Sequence, residues 1–425
     1  MEGQFLSEAH MFLFLVQLFV ILMLARGFGE LFKRWRQPAL TAEILVGIVL
    51  GPSILGRFLP GVHAWLFPAD PIQQNMLETV AWLGVLFLLL ESGLEVDFSS
   101  AWRQRGSALK VALIDIVVPM AIAFACTLLL PASYLVDPAD KLLFALFAAA
   151  VMTISDMPVA LRALHDLNLF KTDLGFLVMS ALSVNDIIGW LIFTIVLGVF
   201  SREGASASQA LTVTAMAVGF AALCLGAGRR LADRAITAMQ KRKLSEPAAS
   251  LTFITLLGML TGAITLKIGI HALFGFFLAG IMAGESRALP EYTRQVISQM
   301  VYAVFVPLFF VNVGLKIDVI RYFDLFLVVF FSVIGIGGRW LGAWIGSRFT
   351  DYDRHSRMTI AIAHIPGGVM AIVVSLLAVE AGLITEPVFV AIVASAVISS
   401  VVMGPWLGWS VERRRVVQVS ELLSP

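Results

Sequence analysis

The sequence predicts an all-α membrane protein of about thirteen transmembrane helices, arranged as two inverted repeats with paired broken helices. Three observations carry that expectation. Of 425 residues, 59% are hydrophobic and only 14% are charged, which is too apolar for a soluble domain. Apolar stretches long enough to cross a bilayer recur along the whole chain. Two of them are interrupted by helix-breaking residues at corresponding places.

A bilayer core requires about 20 apolar residues in helical form, and that length places spans at approximately 9–31, 40–57, 75–94, 107–130, 140–167, 172–200, 207–229, 248–266, 268–284, 296–314, 323–347, 357–380 and 386–409. The first run is too long for a signal-peptide core and lacks a small-residue cleavage site, so it is expected to remain as a span. Cys126 and Cys224 fall inside predicted spans without metal-like spacing and read as packing residues.

The net charge of +1 is uninformative, but its distribution is not. Lysine and arginine gather in alternate loops: Lys33, Arg34 and Arg36; Arg103, Arg105 and Lys110; Arg162 and Lys171; Arg229 to Lys243; Arg287 and Arg294; Arg348, Arg354 and Arg357; and Arg413 to Arg415. The positive-inside rule then puts the N-terminus outside and the C-terminus in the cytoplasm, which requires an odd number of spans. The run Lys241-Arg242-Lys243 is explained by this topology, and no nucleic-acid partner is expected.

The fifth span is broken at Thr153-Ile154-Ser155-Asp156-Met157-Pro158 and the twelfth at His364-Ile365-Pro366-Gly367-Gly368. Proline removes a backbone donor and glycine favours unwinding, so both segments expose carbonyl and amide groups at membrane depth. Such backbone survives only where it is buried in protein or lines a cavity. The breaks lie seven spans apart, so their helices cross in opposite directions, with spans 1–6 and 8–13 as the repeats and span 7 as the link. Paired discontinuous helices present opposed dipole ends to an ion and point to a transporter's binding site.

In the eleventh span Gly338, Gly342 and Gly346 recur every four residues and form a face for close helix packing. Gly335-Ile336-Gly337 lacks the strand and the third glycine of a dinucleotide loop. Arg339 on the same span is a fixed positive charge that needs compensation and supplies it.

Asn185-Asp186 lies inside the apolar run from Thr172 to Phe200, with Asp186 roughly 21 Å along the helix. A carboxylate there costs several kcal/mol unless something compensates it. Burial favours the neutral acid and a bound cation favours the anion, so one carboxylate makes the two ligands compete. Competition at one site is sufficient for exchange, and Asp186 is the expected carrier of a monovalent cation and a proton. Asn185 points about a third of a turn away, toward Arg339 or the unwound twelfth span, or acts as an amide holding helices together.

Ser183 shares a face with Asp186, and Thr153, Ser155 and Asp156 add oxygens suited to a hard monovalent cation; the hydroxyls otherwise cap local backbone. Asp156 also suits an N-cap for the helix that begins at Pro158. Asp115, about 12 Å into the fourth span, either pairs with Arg339 or relays protons. Glu43, Glu91 and Glu95 occupy span ends or short helices, where salt bridging is the commoner fate; an accessory role in the ion site is the alternative for Glu43. His364 either tunes the pH response or packs beside the break. No protease, zinc-helix or serine–histidine arrangement is present, so the sequence does not read as an enzyme.

Whole segments resemble the cation/proton antiporter superfamily, in its bacterial Kef-type and sodium/proton exchanger branch. They are Gln37-Pro38-Ala39-Leu40-Thr41-Ala42-Glu43-Ile44-Leu45-Val46-Gly47 with Leu50-Gly51-Pro52-Ser53, Gly93-Leu94-Glu95-Val96-Asp97, Pro158-Val159-Ala160-Leu161-Arg162 with Asp166-Leu167, Asn185-Asp186, and Pro307 to Leu315 with Ile317-Asp318. The resemblance implies a sodium/proton antiporter-like fold and a homodimer in the bacterial inner membrane. Residues 1–105 and 247–320 would form the dimerisation domain, 106–203 and 321–411 a mobile core moving like an elevator, 204–246 the linker span and basic loop, and 412–425 a short cytoplasmic tail.

Electrogenic members resemble one another in two adjacent aspartates and a lysine where this chain has Asn185 and Arg339, which implies electroneutral exchange. The expected substrates are Na+, or K+ or Li+, and H+, without a cofactor. The alternative is a K+/H+ antiporter or a Kef-like gated potassium efflux protein. A chain running to Pro425 leaves no room for the nucleotide-binding domain of Kef-type systems, which weakens that alternative.

Overall fold

A computed structural model describes residues 7–35, 37, 39–96, 106–200 and 207–423. Arg36, Pro38, Asp97, Arg103, Arg105 and Arg202, and the side chains of Arg413, Arg414 and Arg415, lie outside the described residues. Twelve described helical segments are long and apolar enough to cross a membrane. In chain order they are Glu8–Arg34, Ala39–Phe58, Pro71–Glu95, Ser107–Thr127, Pro138–Asp166, Asp173–Val196, Leu211–Lys241, Ala248–Lys267, Glu291–Lys316, Leu325–Ser347, Arg354–Glu380 and Glu386–Glu412.

The stretch expected at 268–284 is a shorter helix, Ala272–Gly284. Its first residues are spent on a turn, with Gly269 at φ 82° and the His271 ring accepting from the Leu273 amide. It takes the ninth place in the expected order, but it is too short to join the twelve described helices long and apolar enough to cross a membrane, where the sequence predicts about thirteen. Among the described residues every long element is helical, which agrees with the class read from the sequence.

Local chemistry sets the helix ends. Ser7 accepts from the His10 amide at the start of the first span, Glu8 sits in its first turn, and Lys33 and Arg34 in its last. Each complements the partial charge of the helix end it occupies. Asp70 caps the third span by accepting from the Ile72 amide, with Pro71 as its first residue.

Close backbone contact joins the second, third, ninth and tenth spans. A Cβ on Gly280 would stand 2.8 Å from the Gly93 Cα, and one on Gly314 would stand 2.6 Å from the Gly47 Cα. Only glycine permits such approach, and packing of this kind drives helix association where lipid removes the hydrophobic term. On the eleventh span, Gly338 and Gly342 lie against Pro119 and Gly346 against Val111, so the fourth span packs along the expected small-residue face.

The fifth span divides into Lys141–Thr153 and Met157–Asp166, and the twelfth into Arg354–Ala363 and Gly368–Glu380. The non-helical residues between the halves meet, and the Asp156 amide donates to the Pro366 carbonyl at 2.8 Å. Each break therefore satisfies part of the backbone that the other frees, as a non-helical segment at membrane depth requires. The twelfth span is buried without interruption from Thr359 to Ala378.

Candidate ion site at the helix crossing

The two breaks are tied together by side chains as well as backbone. Asp156 accepts from the Val369 amide at 3.0 Å, placing its carboxylate at the N-terminus of the half-helix Gly368–Glu380. Asp156 stands at the N-cap position of Met157–Asp166, as the sequence suggested, while its side-chain hydrogen bond runs to the opposite broken span. Amide dipoles converge at a helix N-terminus, so an anion is favoured there. Gly368 makes room, because a Cβ at that position would overlap the Asp156 carboxylate. Ser155 donates to the His364 carbonyl at 3.2 Å and adds a second cross-link.

Arg339 is fully enclosed, at 1% exposure, and meets carbonyls rather than a carboxylate. Its Nε donates to Ile365 O at 2.8 Å and its Nη1 to Met152 O at 3.0 Å. These carbonyls lie where the first halves of both broken spans end, at the negative ends of two helix dipoles. Asp115 and Asp156 stand within electrostatic range of the guanidinium, without a direct ion pair to it among the described residues.

Asp115 instead accepts from the Asn185 side-chain amide at 3.1 Å, and Asn185 Oδ1 receives the Ser155 amide at a long 3.4 Å. Asn185 thus links the fourth, fifth and sixth spans. The bond to Asp115 could not be read from the spacing, because it joins residues on separate helices.

Asp186, one residue further, is 1% exposed, and neither of its carboxylate oxygens has a hydrogen-bond partner among the described residues. Asp156 and Glu95 are the carboxylates within electrostatic reach of it. A buried charge without partners is costly, so this geometry calls for a ligand or a proton on Asp186.

The nearby hydroxyls are engaged locally. Thr153 donates to Ala149 O at 2.7 Å and Ser183 to Met179 O at 2.9 Å, each one turn back on its own helix. Their oxygens keep lone pairs, but the protons are committed. His364 is buried, with Nδ1 on the Ile360 carbonyl at 2.8 Å and Nε2 unpartnered. Glu43 is buried in the second span, and its Oε2 lacks a partner among the described residues. The salt bridges expected of Glu43, Glu91 and Glu95 are absent among the described residues.

A cavity of about 400 Å³ lies between the third and tenth spans on one side and the fifth and sixth on the other. Its wall includes Ser183, one helical turn before Asp186, together with Met157, Glu91 and Glu95. Its lining reaches the end of the molecule that carries the basic loops, where Glu291, Arg294 and Phe170 belong to it. No group of three or more His, Cys, Asp or Glu side chains suited to a resident metal occurs among the described residues.

The family model described as sodium/hydrogen exchanger, transmembrane, matches residues 18–413. Cation/H(+) antiporter 17 of Arabidopsis thaliana is 29% identical over 412 residues, covering 95% of this chain and 49% of that protein. The chain spans about half the length of that plant relative or less of others like it. Na(+)/H(+) antiporter NhaS4 of Synechocystis is 28% identical over 402 residues, covering 92% of this chain and 96% of that protein. The solved sodium proton antiporter MjNhaP1 of Methanocaldococcus jannaschii at pH 8 superimposes with a TM-score of 0.70 at 16% identity, covering 94% of this chain and 98% of that one. That likeness speaks for the fold.

Proposed function

Since the chain belongs to the sodium/hydrogen exchanger family, within the cation/proton antiporter superfamily, we propose that it exchanges a monovalent cation, sodium in preference to potassium, for a proton across a bacterial-type inner membrane. The observation that carries this reading is Asp186: an enclosed carboxylate with both oxygens free, beside two broken helices and next to a cavity. A bound cation or a bound proton removes its uncompensated charge, and both at once would over-neutralise it. Raising the proton concentration therefore raises the cation concentration needed for half-maximal exchange and leaves the limiting rate alone.

Exchange of one proton for one monovalent cation at Asp186 moves no net charge. Arg339 supports that stoichiometry, because a guanidinium held by helix-end carbonyls carries its charge through the cycle without titrating. Asn185 stands where a second carboxylate would add charge, and its amide is used in holding Asp115. Asp156, with Ser155 and Thr153, forms the wall of the same site and anchors the N-terminus of Gly368–Glu380.

In the proposed cycle the fourth to sixth and eleventh to thirteenth spans move as one core past a scaffold of the first to third and eighth to tenth, in an elevator-type motion within a homodimer. The glycine-to-backbone contacts among the second, third, ninth and tenth spans support a rigid scaffold. The contact of the fourth span with the eleventh and the crossing of the fifth with the twelfth support a core that travels as a unit. Alternate basic loops support an outside N-terminus and a cytoplasmic C-terminus, with the cavity on the cytoplasmic face.

The test is exchange in proteoliposomes with an imposed pH gradient, with sodium, potassium and lithium compared with and without a clamped membrane potential. Wild type is expected to dissipate the gradient only with counter-cation present, saturably and independently of potential, and Asp186→Asn is expected to abolish exchange. Full exchange by Asp186→Asn would refute the assignment, and potassium flux without proton counterflow would favour a gated efflux protein.

A further inference from the structure

The third span ends in two glutamates that the exchange site does not use. Glu91 and Glu95 are four residues apart, so they stand on one helix face and line the cavity together. Glu91 is only 4% exposed, and each residue keeps an Oε2 without a hydrogen-bond partner among the described residues. Neither makes an ion pair among the described residues.

The cation nearest to them is committed elsewhere. Arg294 donates to the carbonyls of Leu94, Gly284 and Ser286, and so closes the ends of the third and ninth helices. Its charge reaches Glu91 through space and leaves Glu95, flanked electrostatically by Glu91, to face the cavity. Two acidic groups one turn apart on one cavity wall repel each other when ionised, and a monovalent cation between them relieves that repulsion. Hydroxyl oxygens are also to hand: Ser298 bonds Glu91, and Ser180 and Ser183 line the facing wall. A volume of about 400 Å³ leaves room for a partly hydrated ion, since one water takes about 30 Å³.

We infer that Glu91 and Glu95 form a staging site for a monovalent cation on the wall of the cavity, distinct from Asp186 and feeding it. The inference rests on the exchange reading given above. The third span is joined backbone to backbone with the ninth at Gly93 and Gly280, so the staging carboxylates belong to the scaffold. Asp186 belongs to the facing helices, and Glu95 is one of the two carboxylates it senses. A cation held at the glutamates is thus concentrated beside Asp186 and released to it when the proton leaves.

The experiment uses membrane vesicles of both orientations carrying wild type, Glu91→Gln, Glu95→Gln, Glu95→Asp or Asp186→Asn. For each Gln variant, the sodium concentration for half-maximal exchange is expected to rise about fivefold, the effect of one unit charge about 4 Å away in water. That rise is expected when sodium is added to the face bearing the basic loops and not from the other face, with the limiting rate within about twofold of wild type. Glu95→Asp keeps the charge and is expected to restore most of the affinity, a rescue that a packing role would not give.

Wild-type half-saturation in both Gln variants, while Asp186→Asn is inactive, would overturn the staging site and leave the exchange reading intact. Abolished exchange in a Glu95→Gln protein that is folded by thermal unfolding would also overturn it, by making Glu95 part of the transport site. Active Asp186→Asn would instead sink the exchange reading itself. Should Glu95→Gln fail to fold, the Glu91→Gln result decides the question by the same criteria.

Discussion

Replacing Gly368 with alanine probes the crossing of the broken helices most directly. The added Cβ falls on the Asp156 carboxylate, so that group must leave its place. Leaving breaks the 3.0 Å bond from the Val369 amide. A hydrogen bond to a charged group contributes about 1.5–3 kcal/mol, and the favourable helix N-terminus up to about 2 kcal/mol more in enclosed geometry. Because these overlap, the expected loss is about 2–4 kcal/mol. The intrinsic preference of helices for alanine over glycine offsets at most about 1 kcal/mol of that.

The assay is denaturant unfolding in detergent micelles, with Gly404→Ala as the control. Gly404 has open space around it, so its alanine variant is expected to be neutral or stabilising by up to about 1 kcal/mol. The decisive comparison is a double-mutant cycle with Asp156→Ala, which removes the carboxylate that the Cβ meets. The two changes are expected to couple by at least about 1 kcal/mol, because each removes the same contact. Additivity within about 0.5 kcal/mol, or wild-type stability of Gly368→Ala alone, would refute the argument that Asp156 holds the opposite half-helix.

Three further outcomes are expected. Lys316 pairs with Glu78 of the third span at 2.8 Å and Glu380 of the twelfth at 2.7 Å, so Lys316→Gln should cost up to about 1 kcal/mol per pair in low salt and less in high salt, as read by unfolding at two ionic strengths. Gly280→Ala should lower stability by about 1–3 kcal/mol, because its Cβ would meet the Leu90 carbonyl and the Gly93 backbone; an unchanged melting temperature would argue against that close approach. The His10 ring and then the Ile72 amide hold the Asp70 carboxyl below its ordinary value of 3.8, so its contribution is present above that value and lost as pH falls through the lower, folded one. The stability gap between wild type and Asp70→Asn should accordingly be full near neutrality and close only in strong acid.

Much of this was legible because hydropathy and helix breaking are local properties. The ends of the broken spans follow from Pro158 and from Pro366-Gly367-Gly368, and the packing of the fourth span follows from glycines four residues apart. Partners across helices were not legible. Arg339 as a bare charge suggests a carboxylate partner, yet the carbonyls at Met152 and Ile365 take its protons, because two helix C-termini converge on it. Asn185 and Asp115 are 70 residues apart in sequence, and their hydrogen bond exists only through the packing of the fourth and sixth spans. Glu91 and Glu95 looked like salt-bridge residues by their place at a span end, and only the carbonyl contacts of Arg294 explain why they are not.

Division of labour among the polar groups explains how one carboxylate serves as the exchange site in the proposed function. Asp156 is tied to the Val369 amide, Asp115 to Asn185, Ser155 to the His364 carbonyl and Arg339 to the helix ends, so a change of ligand at any of these would also loosen the crossing. Asp186 carries no such obligation. Its ligand can change without a structural hydrogen bond being broken, and the cost of leaving it empty, several kcal/mol at membrane depth, disfavours crossing with neither passenger. Coupling of the two flows then needs no dedicated latch: the energetic penalty on an empty, charged Asp186 is itself what makes return without a proton or a cation slow.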